Sequence, residues 1–298
     1  MRKFPQPHAV MRSFWACLTR DASVERYRRD WTQRFASKRK AQEGGPYMFR
    51  ESDDAVGALL KSRVLGQAGQ IDDPVRVSSW WADHGIAIDS AELDREALFA
   101  LATRCRESKA LDWVAFLWHV LAWGVMGDYR NAPTIVASAA GPEQHDRLND
   151  ILCAAAESSH RGEIGAAYRA IRGKVPRLGP AFFSKFLYFT SDRNSSDPRP
   201  AILDSRVSSA VFTLTGRDYS EEKAATYERF CHELHKWSHQ FDSPVDVIEF
   251  RMYQFGRLID TRRWKWLHAE VSLYREGRHQ VEFDDIAERR AHLAGWRM

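Results

Sequence analysis

The sequence predicts an all-α protein, and two observations support this fold class. Apolar residues recur at helical spacing along most of the 298 residues, and no sustained alternation of apolar and polar residues is bounded by hairpin turns. With 44% hydrophobic and 28% charged residues, the chain is too apolar for disorder and has enough apolar residues for one large core or two modest ones.

The first predicted element is a basic amphipathic helix over residues 21–40. Its aromatic stripe is surrounded by Arg and Lys, and a Gly-Gly-Pro run ends it. Although the net charge of the whole chain is only +4, its basic residues are concentrated in this N-terminal part. We therefore predict a basic N-terminal region over residues 1–75 and a helical domain over residues 76–298.

Helical periodicity also predicts the elements of the second region. Asp89 and Glu92 have the spacing of a capping pair before a first helix. The next helix, from Leu111 to Met126, is apolar almost all round, so we expect it at the centre of the core. Further helices are predicted at about 143–157, 162–172, 181–191, 205–214, 220–240, 244–259 and 282–294.

Several classes of protein are excluded by what the sequence lacks. The four cysteines lie too far apart for the close pairs of zinc or iron–sulfur sites, so we expect reduced core residues. His232, His235 and His239 share one helix face, but no further ligand cluster accompanies them, and we predict no metal and no cofactor. No apolar stretch is long enough to cross a bilayer, and the charged, proline-broken N-terminus does not resemble a signal peptide. We expect a cytoplasmic monomer.

The most informative segment runs from residue 171 to residue 190. A helix ends near its start, a short turn follows, and a new helix begins with Pro180, where the missing N–H costs nothing. The unpaired amides of that second helix, after Gly179, form an anion site suited to a phosphate, and Lys174 and Arg177 flank it.

Basic residues exceed acidic ones throughout residues 171–217, which indicates a polyanion partner. An ordinary solvated basic surface would give the same composition.

Two further residues that could take part in a reaction follow this turn. Lys185 is the single charge between Ala181 and Ser191, and a lysine in this setting is commonly solvated on an exposed face. Asp204 follows an apolar pair at the entrance of the next helix, where aspartate is most often only an N-cap.

The combination of these segments resembles the helix-hairpin-helix DNA glycosylase superfamily, in the branch with an 8-oxoguanine DNA glycosylase fold. Val175-Pro-Arg-Leu-Gly179 is similar to the hairpin, and Ile202-Leu-Asp-Ser-Arg-Val207 to the segment with the catalytic aspartate. The recognisable part spans about residues 162–214, with the hairpin region at about 162–190. The resemblance implies a bundle of two helical subdomains with an active-site cleft between them.

The resemblance also implies site residues. Asp204 would be the catalytic carboxylate and Lys185 the nucleophile or site lysine. The residues implied to bind DNA are Lys174, Arg177, Leu178, Gly179, Ala181 and Arg206.

Two departures from the family pattern concern the hairpin and the lysine. Arg177 stands where the first glycine of the hairpin is expected. Counting from Gly179 places the lysine position of the family on Ala181, whereas the usual separation from Asp204 reaches Lys185. Ala181 and Lys185 are one helical turn apart and share a face.

The implied function is hydrolysis of the N-glycosidic bond of a modified base in double-stranded DNA, with Schiff-base lyase activity if Lys185 attacks the sugar. An oxidised purine such as 8-oxoguanine is the default substrate. A hypermodified phage base such as a modified cytosine, in an antiphage defence role, remains open, and in either role the enzyme would act at the nucleoid. One alternative is a non-catalytic DNA- or RNA-binding helical protein that uses the hairpin as a phosphate clamp. Another is an unrelated helical interaction protein in which Asp204 is only a cap.

Overall fold

The structure, a computed structural model, describes residues 53–61, 74–108, 112–125 and 127–260. The basic helix predicted at 21–40 and the last predicted helix at 282–294 lie outside the described residues. The predicted boundary between residues 75 and 76 stays a prediction.

The described part of the chain is all-α, as predicted, apart from one pair of very short strands. Most of the longer helices lie within a few residues of the ranges that periodicity predicts. In chain order the elements are α1 (Asp54–Lys61), β1 (Val75–Arg76), α2 (Trp80–Asp83), β2 (Glu92–Leu93), α3 (Arg95–Ser108), α4 (Trp113–Gly124), α5 (Ala132–Ala137), α6 (Pro142–His160), α7 (Ile164–Ile171), α8 (Pro180–Thr190), α9 (Ser205–Thr215), α10 (Ala224–Phe241) and α11 (Val245–Asp260).

The start of α3 differs from the prediction. Glu92 pairs with Arg76 in the antiparallel ladder of β1 and β2, so the predicted capping pair of Asp89 and Glu92 is wrong. Asp94 caps the helix instead, because its Oδ1 accepts the Ala97 N–H at 2.7 Å. The short helices α1, α2 and α5 were not predicted, since four to eight residues are too few to establish a helical period.

Helix α8 lies at the centre of one set of helices and packs against α3, α4, α6 and α7. Its phenylalanines Phe183, Phe186 and Phe189 are at most 1% exposed, which fixes the helix within the core. A second set consists of α1, α9 and α11, and α10 contacts both α7 and α11. The candidate catalytic side chains lie where α8 faces the start of α9.

Helices α9 and α11 approach each other at backbone distance. A Cβ on Gly256 of α11 would lie against the carbonyl oxygen of Arg206 and 2.6 Å from its carbonyl carbon. Only a glycine permits this contact, which holds the beginning of α9 and therefore Asp204 in place.

Cysteine burial and helix hydropathy agree with the described fold. Cys105 and Cys231 are buried free thiols, as predicted, whereas Cys153 is only half-buried. In the described ranges no helix combines the length and apolarity needed to span a membrane.

Candidate active site

The predicted helix, hairpin and helix are present in the structure. Helix α7 ends at Ile171 and α8 begins at Pro180, and the side chains of Val175 and Leu178 are 4% exposed, so they anchor the turn in the core. The Leu178 N–H donates to the Val175 carbonyl at 3.3 Å. Arg177 has φ 64°, a left-handed conformation that glycine adopts without strain. The backbone therefore keeps the glycine-type geometry at the position where this chain has arginine.

The hairpin presents its charges and one open backbone position to solvent. Lys174 and Arg177 are exposed, and a Cβ built on Gly179 would meet no atom within 4 Å. A ligand could therefore approach the backbone at Gly179. The side chain of Leu178 is buried, so only its backbone could contact DNA, and Ala181 is half-buried.

Lys185 is 7% exposed, so the alternative of a solvated surface lysine is wrong. Its side chain runs back towards the start of α8, and Nζ donates to the Ala181 carbonyl at 2.6 Å. The amine of Lys185 therefore lies beside Ala181, the residue that counting from Gly179 reaches. Gly124 at the end of α4 makes room for it, because a Cβ there would lie 2.8 Å from Lys185 Cδ.

Asp204 is the N-cap of α9 and at the same time faces the lysine. Its Oδ1 accepts the backbone N–H groups of Arg206 and Val207 at 3.0 and 2.9 Å. Its Oδ2 lies 3.8 Å from Lys185 Nζ, and the two side chains are 14% and 9% exposed. Capping therefore uses one carboxylate oxygen and leaves the other directed at the amine.

The segment before Asp204 is fixed by two hydrogen bonds from neighbouring helices. Ser184 Oγ on α8 accepts the Leu203 N–H at 3.1 Å, and the Tyr227 hydroxyl on α10 donates to the Ala201 carbonyl at 2.7 Å. Ser184 directly precedes Lys185 in the sequence. The bond to Leu203 therefore ties the backbone beside Asp204 to the helix that carries the amine.

Arg206, a predicted DNA-binding residue, is half-buried and engaged within the protein. Its Nη1 donates to the Tyr253 hydroxyl at 3.0 Å, and its guanidinium carbon lies 5.4 Å from the centre of that ring. The contact holds its positive charge close to the start of α9.

Two buried ionic residues at the site were missed by the sequence analysis. Arg95 and Glu249 form an ion pair at 2.8 Å, with side chains 8% and 3% exposed. Burial raises the pKa of Glu249 to about 7, with Arg95 acting in the opposite direction. Each residue had a weak signal: Arg95 is a cation in the first turn of a helix, and Glu249 stands directly between the apolar residues Ile248 and Phe250.

The ionisation of Lys185 follows from its surroundings. Burial lowers the pKa of the Lys185 amine, Asp204 and Glu249 raise it, and Arg95 and Arg206 lower it. Because burial is the largest of these effects, the amine loses its proton more readily than an exposed lysine. A neutral amine is the form that can attack an electrophile.

Within the described ranges no group of three His, Cys, Asp or Glu side chains could hold a metal ion. On α10, His235 and His239 contact each other through their Nε2 atoms at 3.0 Å.

The fold and this site define a helix-hairpin-helix protein of the glycosylase type. Residues 63–253 match the model of the family described as "Putative 8-oxoguanine DNA glycosylase OGG-like protein". The match covers more than half of the chain, and the chain belongs to this family. Comparisons with the curated proteins and with the solved structures gave no match.

Proposed function

We propose that this protein excises a modified base from double-stranded DNA, with Asp204 as the catalytic carboxylate and Lys185 as the nucleophile. The observation that supports this most directly is the 3.8 Å approach of Lys185 Nζ to Asp204 Oδ2 in a largely buried site. The helix that carries Lys185 starts at the hairpin, so the hairpin can bind the DNA backbone beside the reacting nucleotide.

Asp204 would act on the positive charge that develops when the N-glycosidic bond breaks. The sugar acquires oxocarbenium character, and a nearby carboxylate stabilises this charge or accepts a proton from the nucleophile. The oxygen available for this role is Oδ2, since Oδ1 already accepts two backbone N–H groups.

Lys185 would attack C1′ of the sugar in its neutral form. The new C–N bond forms as the base leaves with the bonding electron pair and takes up a proton. Opening of the sugar ring then gives an imine, from which strand cleavage by elimination follows. If water attacks instead, the product is an abasic site and the strand stays intact.

The hairpin would hold the DNA backbone through the exposed cations Lys174 and Arg177 and the open backbone at Gly179. Base chemistry also requires the target nucleotide to leave the stack. Phosphate contacts of this kind position the duplex but do not select the base.

The substrate that we propose first is an oxidised purine such as 8-oxoguanine, on the basis of the family. A cytosine with a bulky modification is the second candidate, which would give the protein a role in antiphage defence. A panel of duplexes, each with one modified base, separates the two candidates. Alkali treatment reveals abasic sites, and borohydride traps the imine as a covalent protein–DNA adduct.

The decisive variants are Asp204→Asn and Lys185→Met. We expect Asp204→Asn to lower the single-turnover rate of base release by about 100-fold or more, because it keeps the cap but loses the charge. We expect Lys185→Met to abolish the trapped adduct. Asp112→Asn is the matched control for a cap, since Asp112 accepts the Ala115 N–H at the start of α4, and it should be fully active.

Each other outcome changes the proposal in a defined way. Base release without an adduct removes Lys185 as the nucleophile. A fully active Asp204→Asn enzyme refutes the role of the carboxylate. Salt-sensitive binding without base release on any duplex favours the non-catalytic phosphate clamp.

A further inference from the structure

The buried pair of Arg95 and Glu249 has no role in the chemistry described so far. Arg95 is the first residue of α3, and Glu249 lies in α11, so the pair joins the two sets of helices. A buried ion pair costs much of its attraction in desolvation and stabilises a fold little compared with apolar residues of the same size. Its presence beside the site therefore calls for a reason other than stability.

Arg95 is held as a fixed positive charge by an aromatic cage. Its Nη1 donates to the Tyr188 hydroxyl at 3.2 Å, and its guanidinium carbon lies 5.3 to 5.7 Å from the ring centres of Tyr188, Trp123 and Phe250. An arginine does not lose its proton in a protein, so this charge is permanent. Trp123 of the cage directly precedes Gly124, and a Cβ on Gly124 would lie 2.8 Å from Lys185 Cδ, so the cage adjoins the lysine side chain.

We propose that the Arg95–Glu249 pair controls the charge of the Lys185 amine and acts as a positioning pair for the nucleophile. This inference rests on the proposed function only for the role of Lys185 as nucleophile. The effect of the pair on the charge of the amine is present in the protein without DNA.

The charged groups that act on the Lys185 amine come from three helices. Asp204 and Arg206 belong to the start of α9, Glu249 to α11 and Arg95 to α3. Glu249 itself is influenced by Arg95, Asp204 and Asp246. Burial raises the pKa of Glu249 to about 7, so this carboxyl changes its charge near neutral pH.

This arrangement makes the effect of Arg95 on the amine conditional. When Glu249 is protonated, the positive charge of Arg95 acts on Lys185 without a compensating carboxylate, and the neutral amine is favoured. When Glu249 is ionised, it cancels much of that charge and favours the ammonium form. A proton on Glu249 and a neutral amine on Lys185 therefore stabilise each other.

The test is an NMR titration of the Lys185 side chain in the full chain without DNA, with its signal assigned by its absence in Lys185→Met. We expect Glu249→Gln to lower the pKa of Lys185 by about one unit, because it removes one negative charge. Adding Arg95→Met to Glu249→Gln should raise that pKa again by about one unit, because it removes the opposing positive charge.

The matched control is Glu96→Gln on the neighbouring residue of α3. Glu96 also pairs with an arginine, Arg193, at 2.7 Å, but its carboxylate is 73% exposed. This variant should leave the titration of Lys185 unchanged. A Lys185 pKa that moves in neither step, or in the same direction in both, overturns the inference.

A second measurement needs no variant that might fail to fold. In the wild-type protein the Lys185 signal should shift near pH 7, when Glu249 ionises, in addition to its own titration. Absence of that step overturns the inference as well. If the titrations behave as expected but no duplex yields a product, the proposed function fails and the electrostatic control stands. If base release occurs but the titration of Lys185 does not depend on Glu249, the proposed electrostatic effect of the pair is refuted and the proposed function stands.

Discussion

At the scale of single residues, the position of the Lys185 amine depends on a residue with no side chain. Gly124 ends α4 opposite the lysine, and a Cβ there would lie 2.8 Å from Cδ and 3.3 Å from Cε of Lys185. Real Cβ atoms do not approach other carbons so closely. The lysine side chain would have to move, and with it the contacts to Ala181 and Asp204.

Gly124→Ala should therefore separate folding from activity. Alanine favours a helix by up to about 1 kcal/mol over glycine, which offsets the cost of displacing the lysine side chain, so thermal unfolding should change little. The rate of borohydride trapping should fall by about tenfold or more, because a displacement of the nucleophile by about an ångström is costly. The control is Gly141→Ala, whose Cβ would meet only the Gln144 side chain, and it should trap at the wild-type rate. Equal trapping rates for both variants would contradict this account of Gly124.

Single residues also show where prediction from sequence ends. Asp204 and Lys185 could be singled out because the segment around Asp204 and the separation of the two residues resemble the pattern of the family. Arg95 and Glu249 are far apart in the sequence, and their contact exists only once α3 and α11 have packed. Neither helical period nor capping rules encode such a pairing.

At the scale of elements, the hairpin combines a proposed DNA-binding residue with a strained backbone. Arg177 has φ 64°, and a left-handed conformation costs a residue with a Cβ about 1 kcal/mol or more. An exposed cation at this position thus comes at the expense of stability. The sequence marks the departure from glycine, but only the structure shows that the backbone geometry is retained.

Arg177→Gly and Arg177→Ala separate the two properties. The glycine variant should raise the free energy of unfolding by up to about 1 kcal/mol, whereas the alanine variant keeps the strained backbone and should not. Both lose one cation, so both should weaken duplex binding equally and reduce the slope of affinity against salt by about one. Urea unfolding and a salt titration of binding measure these effects. Unequal salt slopes would show that Arg177 does not act through its charge.

The contact between α9 and α11 is the second feature at this scale. Gly256→Ala should lower the free energy of unfolding by about 3 kcal/mol, because its Cβ would meet the backbone of Arg206 rather than a flexible side chain. The matched control is Gly165→Ala in α7, whose Cβ would meet only the side chains of Glu228 and Arg169. Urea unfolding measures the free energy of unfolding of both variants. Equal values for Gly256→Ala and Gly165→Ala would mean that α9 and α11 move apart easily.

At the scale of the whole molecule, the all-α class and most long helices were predictable, because amphipathic periodicity is a local property. The strands β1 and β2 and the helices α1, α2 and α5 were not, since each is too short to show a period. The division of the helices into two sets, with α10 contacting both, depends on tertiary packing, which a single sequence does not display.

The buried Glu249 should be visible in the stability of the entire protein. Its pKa of about 7 in the folded protein exceeds the value of about 4.3 in an unfolded chain. Between these values the folded state binds more protons, so the free energy of unfolding should fall as the pH rises through this window. We expect a loss of about 1–3 kcal/mol that Glu249→Gln does not show. Urea unfolding from pH 4 to pH 8 measures the difference, and parallel curves for the two proteins would contradict it.

Helix α8 begins at the hairpin and carries the amine five residues later, with no break between them. At a rise of about 1.5 Å per residue, the Cα atoms of Pro180 and Lys185 are about 7.5 Å apart along the axis, and the lysine side chain runs back from there to the Ala181 carbonyl. A duplex bound at the hairpin would thus present one nucleotide at a fixed offset from the bound phosphate. Such an enzyme would examine DNA one position at a time, because a neighbouring base reaches Lys185 only if the whole protein shifts along the backbone.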